Sequence, residues 1–132
     1  MRYVFDASAL VNLAKRGCLK VLIDGATLDL AAYETLNSVW KEEALLGRID
    51  RETANSFVKV LSLALRGVRV TGIAGHEADV YRLASEEKIT VYDAAYLWLA
   101  VRENLVLVTD DKRLREKAGK YVEAVPSSTL DC

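Results

Sequence analysis

The stretch Tyr3-Val4-Phe5-Asp6-Ala7-Ser8 decides the fold. Three residues of strand character, Tyr3 to Phe5, run straight into a carboxylate, Asp6, and then a hydroxyl, Ser8. Leu10, Val11, Leu13 and Ala14 follow at helical spacing, so the chain is expected to turn from strand to helix at Asp6. In open α/β sheets, ligands bind where strands end and helices begin. Asp6 therefore reads as the first wall of an acidic pocket.

Working outward, the same alternation continues. A short helix is expected over 18–23, a turn at Asp24-Gly25, a strand over 27–31, and a helix over 32–46 ended by Gly47. In that helix Leu36, Val39, Trp40 and Ala44 form the apolar stripe, and Glu34 and Asn37 share another face near its start. Residues 51–65 are the clearest amphipathic helix, with Ala54, Phe57, Val58, Leu61, Ala64 and Leu65 on one side. A strand over 68–71 and a helix over 76–87 come next, the latter turning Val80, Leu83 and Ala84 inward and leaving His76 as a surface or capping residue. Ile89-Thr90-Val91 then reads as a strand, with Asp93 opening a helix over 94–103 that is apolar nearly all round and so buried. A continuous apolar strand over 105–108 ends in Thr109-Asp110-Asp111, followed by a helix over 112–117 and an edge strand over 122–125. Strands alternating with helices imply right-handed crossovers and a three-layer α/β/α sandwich around a short parallel sheet. The expected organisation is one domain spanning 1–132.

Composition narrows the chemistry. Hydrophobic residues make up 52% of the chain, enough for a packed core. The longest apolar run, 94–101, is too short to cross a bilayer, and no secretory signal is visible, so a cytoplasmic location is expected. Cys18 and Cys132 lack CxxC spacing and read as a packed thiol and a free tail thiol. A net charge of −1 means that nucleic acid could be held only by a local basic patch. With His76 the single histidine, paired-histidine acid–base catalysis and a Cys/His zinc site are both excluded within one subunit. No GxSxG, Walker or GxGxxG motif occurs. Carboxylates are the chemistry that remains.

Singly, Asp93, Asp110 and Asp111 are best explained as helix caps, and Glu34 as a first-turn acid. Asp24, Asp29, Asp50 and Asp79 keep that explanation. Together, Asp6, Asp93 and Asp111 each follow an apolar strand, and Glu34 lies just past the second one, so parallel strands would bring all of them to one edge. Two like charges ~4 Å apart repel by about 4 kcal/mol at an effective dielectric of 20. A hard divalent cation, Mg²⁺ or Mn²⁺, turns that repulsion into attraction and keeps waters for chemistry.

The segments VFDASAL with Asp6 and Ser8, YETLN with Glu34 and Asn37, TVYDAAYLWLA with Asp93, and LVTDDKRL with Thr109 and Asp111 together resemble a PIN-domain ribonuclease of the single-domain VapC toxin type. The resemblance covers nearly the whole chain. It implies an α/β/α sandwich, commonly a homodimer, and Mg²⁺- or Mn²⁺-dependent cleavage of RNA to 5′-phosphate and 3′-hydroxyl ends. It implies that Asp6, Glu34, Asp93 and Asp111 bind metal, directly or through water, and that Ser8, Asn37 and Thr109 orient ligands. In the family's Thr-x-Asp motif Asp111 takes the metal role, and Asp110 falls at the variable position as an auxiliary candidate. It also implies a small VapB-type antitoxin as partner. Lys112 and Arg113 are the expected contacts to the RNA backbone; Arg115, Lys15, Arg16 and Lys20 are further basic candidates.

Other functions stay open: a housekeeping RNA-processing nuclease, or a non-catalytic RNA- or protein-binding module on the same fold. Aspartyl phosphoryl transfer fits poorly. A dehalogenase-like phosphatase needs Asp-x-Asp after the first strand, where this chain has Asp6-Ala7-Ser8, and a receiver domain needs an acidic pair there.

Overall fold

A computed structural model describes residues 1–132. Its centre is strand β1, Tyr3–Phe5, flanked by β2, Gly25–Leu28, and by β4, Val106–Val108. Strands β3, Arg69–Thr71, and β5, Ala124–Val125, are the edges, giving the order β3-β2-β1-β4-β5 with every neighbour parallel. The chain steps outward from β1 through β2 to β3, then returns to the other side of β1 for β4 and β5. That reversal makes the gap between the C-terminal ends of β1 and β4 the topological switch point, where open α/β sheets form a crevice.

Helices α1 (Ala7–Lys15), α2 (Leu30–Trp40) and α3 (Arg51–Gly67) pack on one another around Val11, Ala14, Val39, Ala54 and Leu61. Helix α4, Glu77–Glu87, packs on α5, Val91–Glu103, and α5 lies against β1, β2 and β4. Every residue from 94 to 100 of α5 is buried, as its all-round apolar sequence requires. Helix α6, Lys112–Ala118, leads into the edge strand β5. No helix is long and apolar enough to cross a membrane.

Most expected elements form, and the departures have local causes. Residues 89–91 make no strand. Lys88 takes a left-handed conformation (φ 56°) as the C-cap of α4, and Thr90 caps α5 through its side chain, so the two helix ends consume the segment. Asp93 thus stands in the first turn of α5, not behind a strand. Strand β2 starts directly at Gly25 instead of after a turn, and ends early because Asp29 caps α2. Helix α2 is shorter than expected and passes into a π-helical turn, Lys41–Leu45, before Gly47 (φ 61°). Its inward residues are Ala31, Thr35 and Val39; Leu36, Trp40 and Ala44 are exposed, which corrects the expected stripe. Ala31, Thr35 and Val39 form one row of α2 at four-residue spacing, and Leu36 and Trp40 lie on the next row, turned about 100° towards solvent.

The cysteines depart furthest. Cys18 and Cys132 are joined in a disulfide, where two unpaired thiols were expected. The bond fastens the C-terminal segment to the end of α1, and Arg16 reinforces it by donating to the carbonyls of Ser127 (2.9 Å) and Leu130 (3.1 Å).

Close approach fixes one glycine. A Cβ at Gly25 would overlap the Phe5 ring and lie 2.9 Å from the Tyr3 carbonyl oxygen. Gly25→Ala is expected to lower stability by about 1–3 kcal/mol in urea unfolding, the scale of overpacking in a core. Replacing both Cys18 and Cys132 with Ser should cost about 2–4 kcal/mol, because the bond closes 114 residues of sequence. An unchanged midpoint for either variant would contradict the packing described.

Candidate functional site

The site grows from the pairing of β1 with β4. Their register sets Phe5 beside Val108, and the Asp6 N–H donates to the Val108 carbonyl at 3.1 Å. Asp6 and Thr109 therefore emerge side by side at the switch point. Asp6 is buried and caps α1: its Oδ1 accepts from Ser8 Oγ (2.7 Å) and from the Ala9 N–H (2.9 Å). Its Oδ2 accepts from the hydroxyl of Thr109, which in turn accepts from the Asp111 N–H at 3.1 Å. Ser8 Oγ also accepts from the Asp110 N–H at 3.0 Å. These bonds lock the two strand ends into one unit.

The other acids reach this unit from helices. Asp111 is exposed and caps α6, accepting from the Leu114 N–H at 3.1 Å. Asp93, half-buried, sits in the first turn of α5 with its N–H bonded to Thr90 Oγ1 at 3.1 Å. Glu34, also half-buried, projects from α2, and its Oε1 accepts from the Tyr96 hydroxyl at 2.8 Å. Asn37 is exposed one turn further along α2 and lines a groove with Glu34, Tyr33, Trp40 and Tyr92.

The charges feel one another. Burial pushes the Asp6 carboxyl up to about 6; hydrogen bonds from Thr109, Ser8 and Ala9 oppose this, and the Asp93 charge adds to it. Burial likewise raises Glu34, against the Tyr96 hydrogen bond and with help from Asp93. Asp93 is raised by burial and then by Asp111, with Thr90 and Arg113 pulling the other way. Burial and the neighbouring Glu34, Asp6 and Asp93 push the Tyr96 phenol far above its ordinary range, so it serves as a neutral donor. The structure thus places Asp93 within charge range of Asp6, Glu34 and Asp111.

Asp110 faces away from these acids. It accepts from Asn12 Nδ2 (2.7 Å), the Ser127 N–H (2.7 Å) and Ser127 Oγ (2.6 Å). Burial acts to raise its carboxyl, but these hydrogen bonds and Arg115 carry it below the usual range. It is a clasp on the C-terminal segment. Arg115 donates to the Thr109 carbonyl (2.9 Å) and Arg113 to the Lys88 carbonyl (3.2 Å), while Lys112 is exposed. Sequence reasoning passed over Tyr96, Thr90, Asn12 and Ser127. Only Tyr96 carried a signal, as a polar-tipped residue three positions after Asp93 within the apolar run 94–101.

The donors are all hard oxygens, the set that Mg²⁺ and Mn²⁺ prefer. No three of these side chains stand close enough together to hold a metal ion as they are placed. Buried carboxylates with raised proton affinity and mutual repulsion are the state that a divalent cation relieves, so the residues fit such an ion.

The raised Asp6 pKa has a definite sign in the metal-free protein. The folded state holds the proton more tightly than the unfolded chain, whose value is near 3.8. The stabilisation is complete below that value and is lost as pH rises through about 6. In EDTA, wild type should gain about 1 kcal/mol of unfolding free energy between pH 7 and pH 5 from this group, with Glu34 and Asp93 acting in the same direction. Asp6→Asn should flatten that slope; urea unfolding at the two pH values measures it, and equal slopes in the two proteins would refute the assignment.

Comparison with known proteins agrees with this geometry. Residues 3–120 match the model of the PIN domain. The chain is 36% identical to Exonuclease VapC9 of Pyrobaculum aerophilum, an alignment covering 93% of this chain and 90% of that protein. It is 35% identical to Ribonuclease VapC3 of the same organism, covering 89% and 95% respectively. The crystal structure of PAE2754 from Pyrobaculum aerophilum superposes with a TM-score of 0.84 at 35% identity, covering 98% of this chain and 93% of the other. A parallel sheet of order β3-β2-β1-β4-β5, an acidic switch point and sequence similarity over nearly its full length converge on one conclusion: this chain belongs to the PIN-domain family.

Proposed function

We propose that the protein is a Mg²⁺- or Mn²⁺-dependent ribonuclease of VapC type, the toxin of a toxin–antitoxin pair. The observation that carries this is the buried Asp6 at the end of the central strand, tied to Thr109, with Asp93 in charge range of it and of Glu34 and Asp111. The relatives named as an exonuclease and a ribonuclease support hydrolysis of nucleic-acid phosphodiesters.

In this reading Asp6, Glu34, Asp93 and Asp111 hold the cation, directly or through water. A bound Mg²⁺ or Mn²⁺ supplies Lewis acidity toward a phosphoryl oxygen and lowers the pKa of water. The protein's own groups supply position. Ser8 and the Ala9 N–H fill Oδ1 of Asp6, while Thr109 fixes Oδ2 and leaves it a free lone pair. Asn37, exposed beside Glu34, orients ligands at the groove. Lys112 and Arg113, at the start of α6, hold the RNA backbone as local positive charge in a chain of net charge −1. The phosphodiester is cut to 5′-phosphate and 3′-hydroxyl ends.

Exposed Tyr33, Leu36, Trp40 and Tyr92 border the acidic groove and form an apolar surface suited to a protein partner. That surface supports a homodimer and a VapB-type antitoxin as partners.

Purified protein should cleave RNA with Mg²⁺ or Mn²⁺ and stop in EDTA. Asp6→Asn and Asp93→Asn should each lower the rate by about 100-fold or more, the scale of losing a group that stabilises the transition state. Cleavage that survives either substitution or chelation rejects the mechanism. Growth arrest on induction, relieved by a co-expressed antitoxin, separates a toxin from a housekeeping nuclease. RNA labelled at either end distinguishes internal from terminal cleavage.

A further inference from the structure

Tyr96 is a buried polar side chain beside the acids to which the motifs assign no role. The residue is 1% exposed, in the core on α5 one turn after Asp93. Its hydroxyl reaches Glu34 Oε1 on α2 at 2.8 Å, across 62 residues of sequence. Glu34 has no other side-chain hydrogen bond, and its Oε2 has no protein donor. The mechanical asymmetry is large. A buried tyrosine ring has two torsions, both held by packing, whereas a half-buried glutamate has three torsions and can turn to solvent. The contact therefore acts from Tyr96 on Glu34. A donor that binds one carboxylate oxygen and leaves the other open is the arrangement by which outer groups orient metal ligands.

We propose that Tyr96 is a positioning residue for the metal site: its hydroxyl fixes Glu34 Oε1 so that Oε2 stays available to a divalent cation. This rests on the metal-dependent reading above. Through Tyr96, helix α5 sets two acids at once, Asp93 from its own first turn and Glu34 at a distance. The bond also ties α2 to α5 at the mouth of the crevice.

The test is Mn²⁺ titration of the full chain, followed by electron paramagnetic resonance, with no RNA present. Tyr96→Phe keeps the ring and removes the donor. Its apparent Mn²⁺ affinity should fall on the order of 10- to 100-fold, with an unchanged melting temperature in EDTA. Glu34→Asp draws the carboxylate out of reach of the hydroxyl and should show a loss of similar size. Tyr96→Phe combined with Glu34→Gln should bind no more weakly than Glu34→Gln alone, since both changes break one coupling. In RNA cleavage, saturating Mn²⁺ should restore kcat in Tyr96→Phe towards wild type. Wild-type affinity in Tyr96→Phe, or additive losses in the double variant, would overturn the role of Tyr96 while leaving the nuclease reading intact. A wild-type protein that binds no Mn²⁺ would overturn the nuclease reading and this inference with it. If Tyr96→Phe melts too low to titrate, wild-type affinity in Glu34→Asp overturns the proposal by itself.

Discussion

The parallel pairing of β1 with β4 is the constraint on which the rest depends. These strands lie about a hundred residues apart in sequence, yet their register puts Asp6 against Thr109 at the centre of the sheet. Two helices start from that junction, α1 capped by Asp6 and α6 capped by Asp111. A shift of one residue in the register would turn Phe5 and Val108 out of the core and separate the Asp6 carboxylate from the Thr109 hydroxyl. The hydrophobic layer and the acidic crevice are therefore fixed by the same ladder of hydrogen bonds.

Capping and chemistry are not competing uses of these acids. A carboxylate has two oxygens and about four acceptor positions. Asp6 commits Oδ1 to the α1 cap and to Ser8, and Oδ2 to Thr109, with acceptor capacity left on Oδ2. Asp111 spends one oxygen on the α6 cap. The helix N-termini contribute a favourable field for negative charge, yet burial and mutual repulsion still leave Asp6, Glu34 and Asp93 with raised proton affinity. The fold gathers more negative charge at this junction than it neutralises.

The C-terminal segment contributes to the same junction from behind. Ser127 bonds Asp110, Arg16 holds the carbonyls of Ser127 and Leu130, and Cys132 is bonded to Cys18. Asp110 passes this restraint to Ser8 through its own N–H. The middle residue of Thr109-Asp110-Asp111 is thus structural, while its neighbours face the crevice. The alternation of side chains along an extended segment explains the division.

Much of this was legible along the chain. The turn from Phe5 through Asp6 into α1, the amphipathic α3, the buried α5 and the apolar β4 follow from periodicity, because burial on one face or on all faces writes itself into residue spacing. Local competition was harder to read: Ile89-Thr90-Val91 has strand character, but the caps of α4 and α5 claim it. Trp40 and Leu36 looked inward by spacing and face outward, since periodicity marks an apolar face without saying what covers it. By itself, then, the sequence determined the α/β class, the family and most of the elements in their order. Only the tertiary structure decided that Asp110 clasps the tail, that Tyr96 holds Glu34 and that Cys18 meets Cys132. Each of those contacts joins residues far apart along the chain, where no local spacing rule reaches and only the packing of α2 on α5, or of the tail on α1, brings the atoms together.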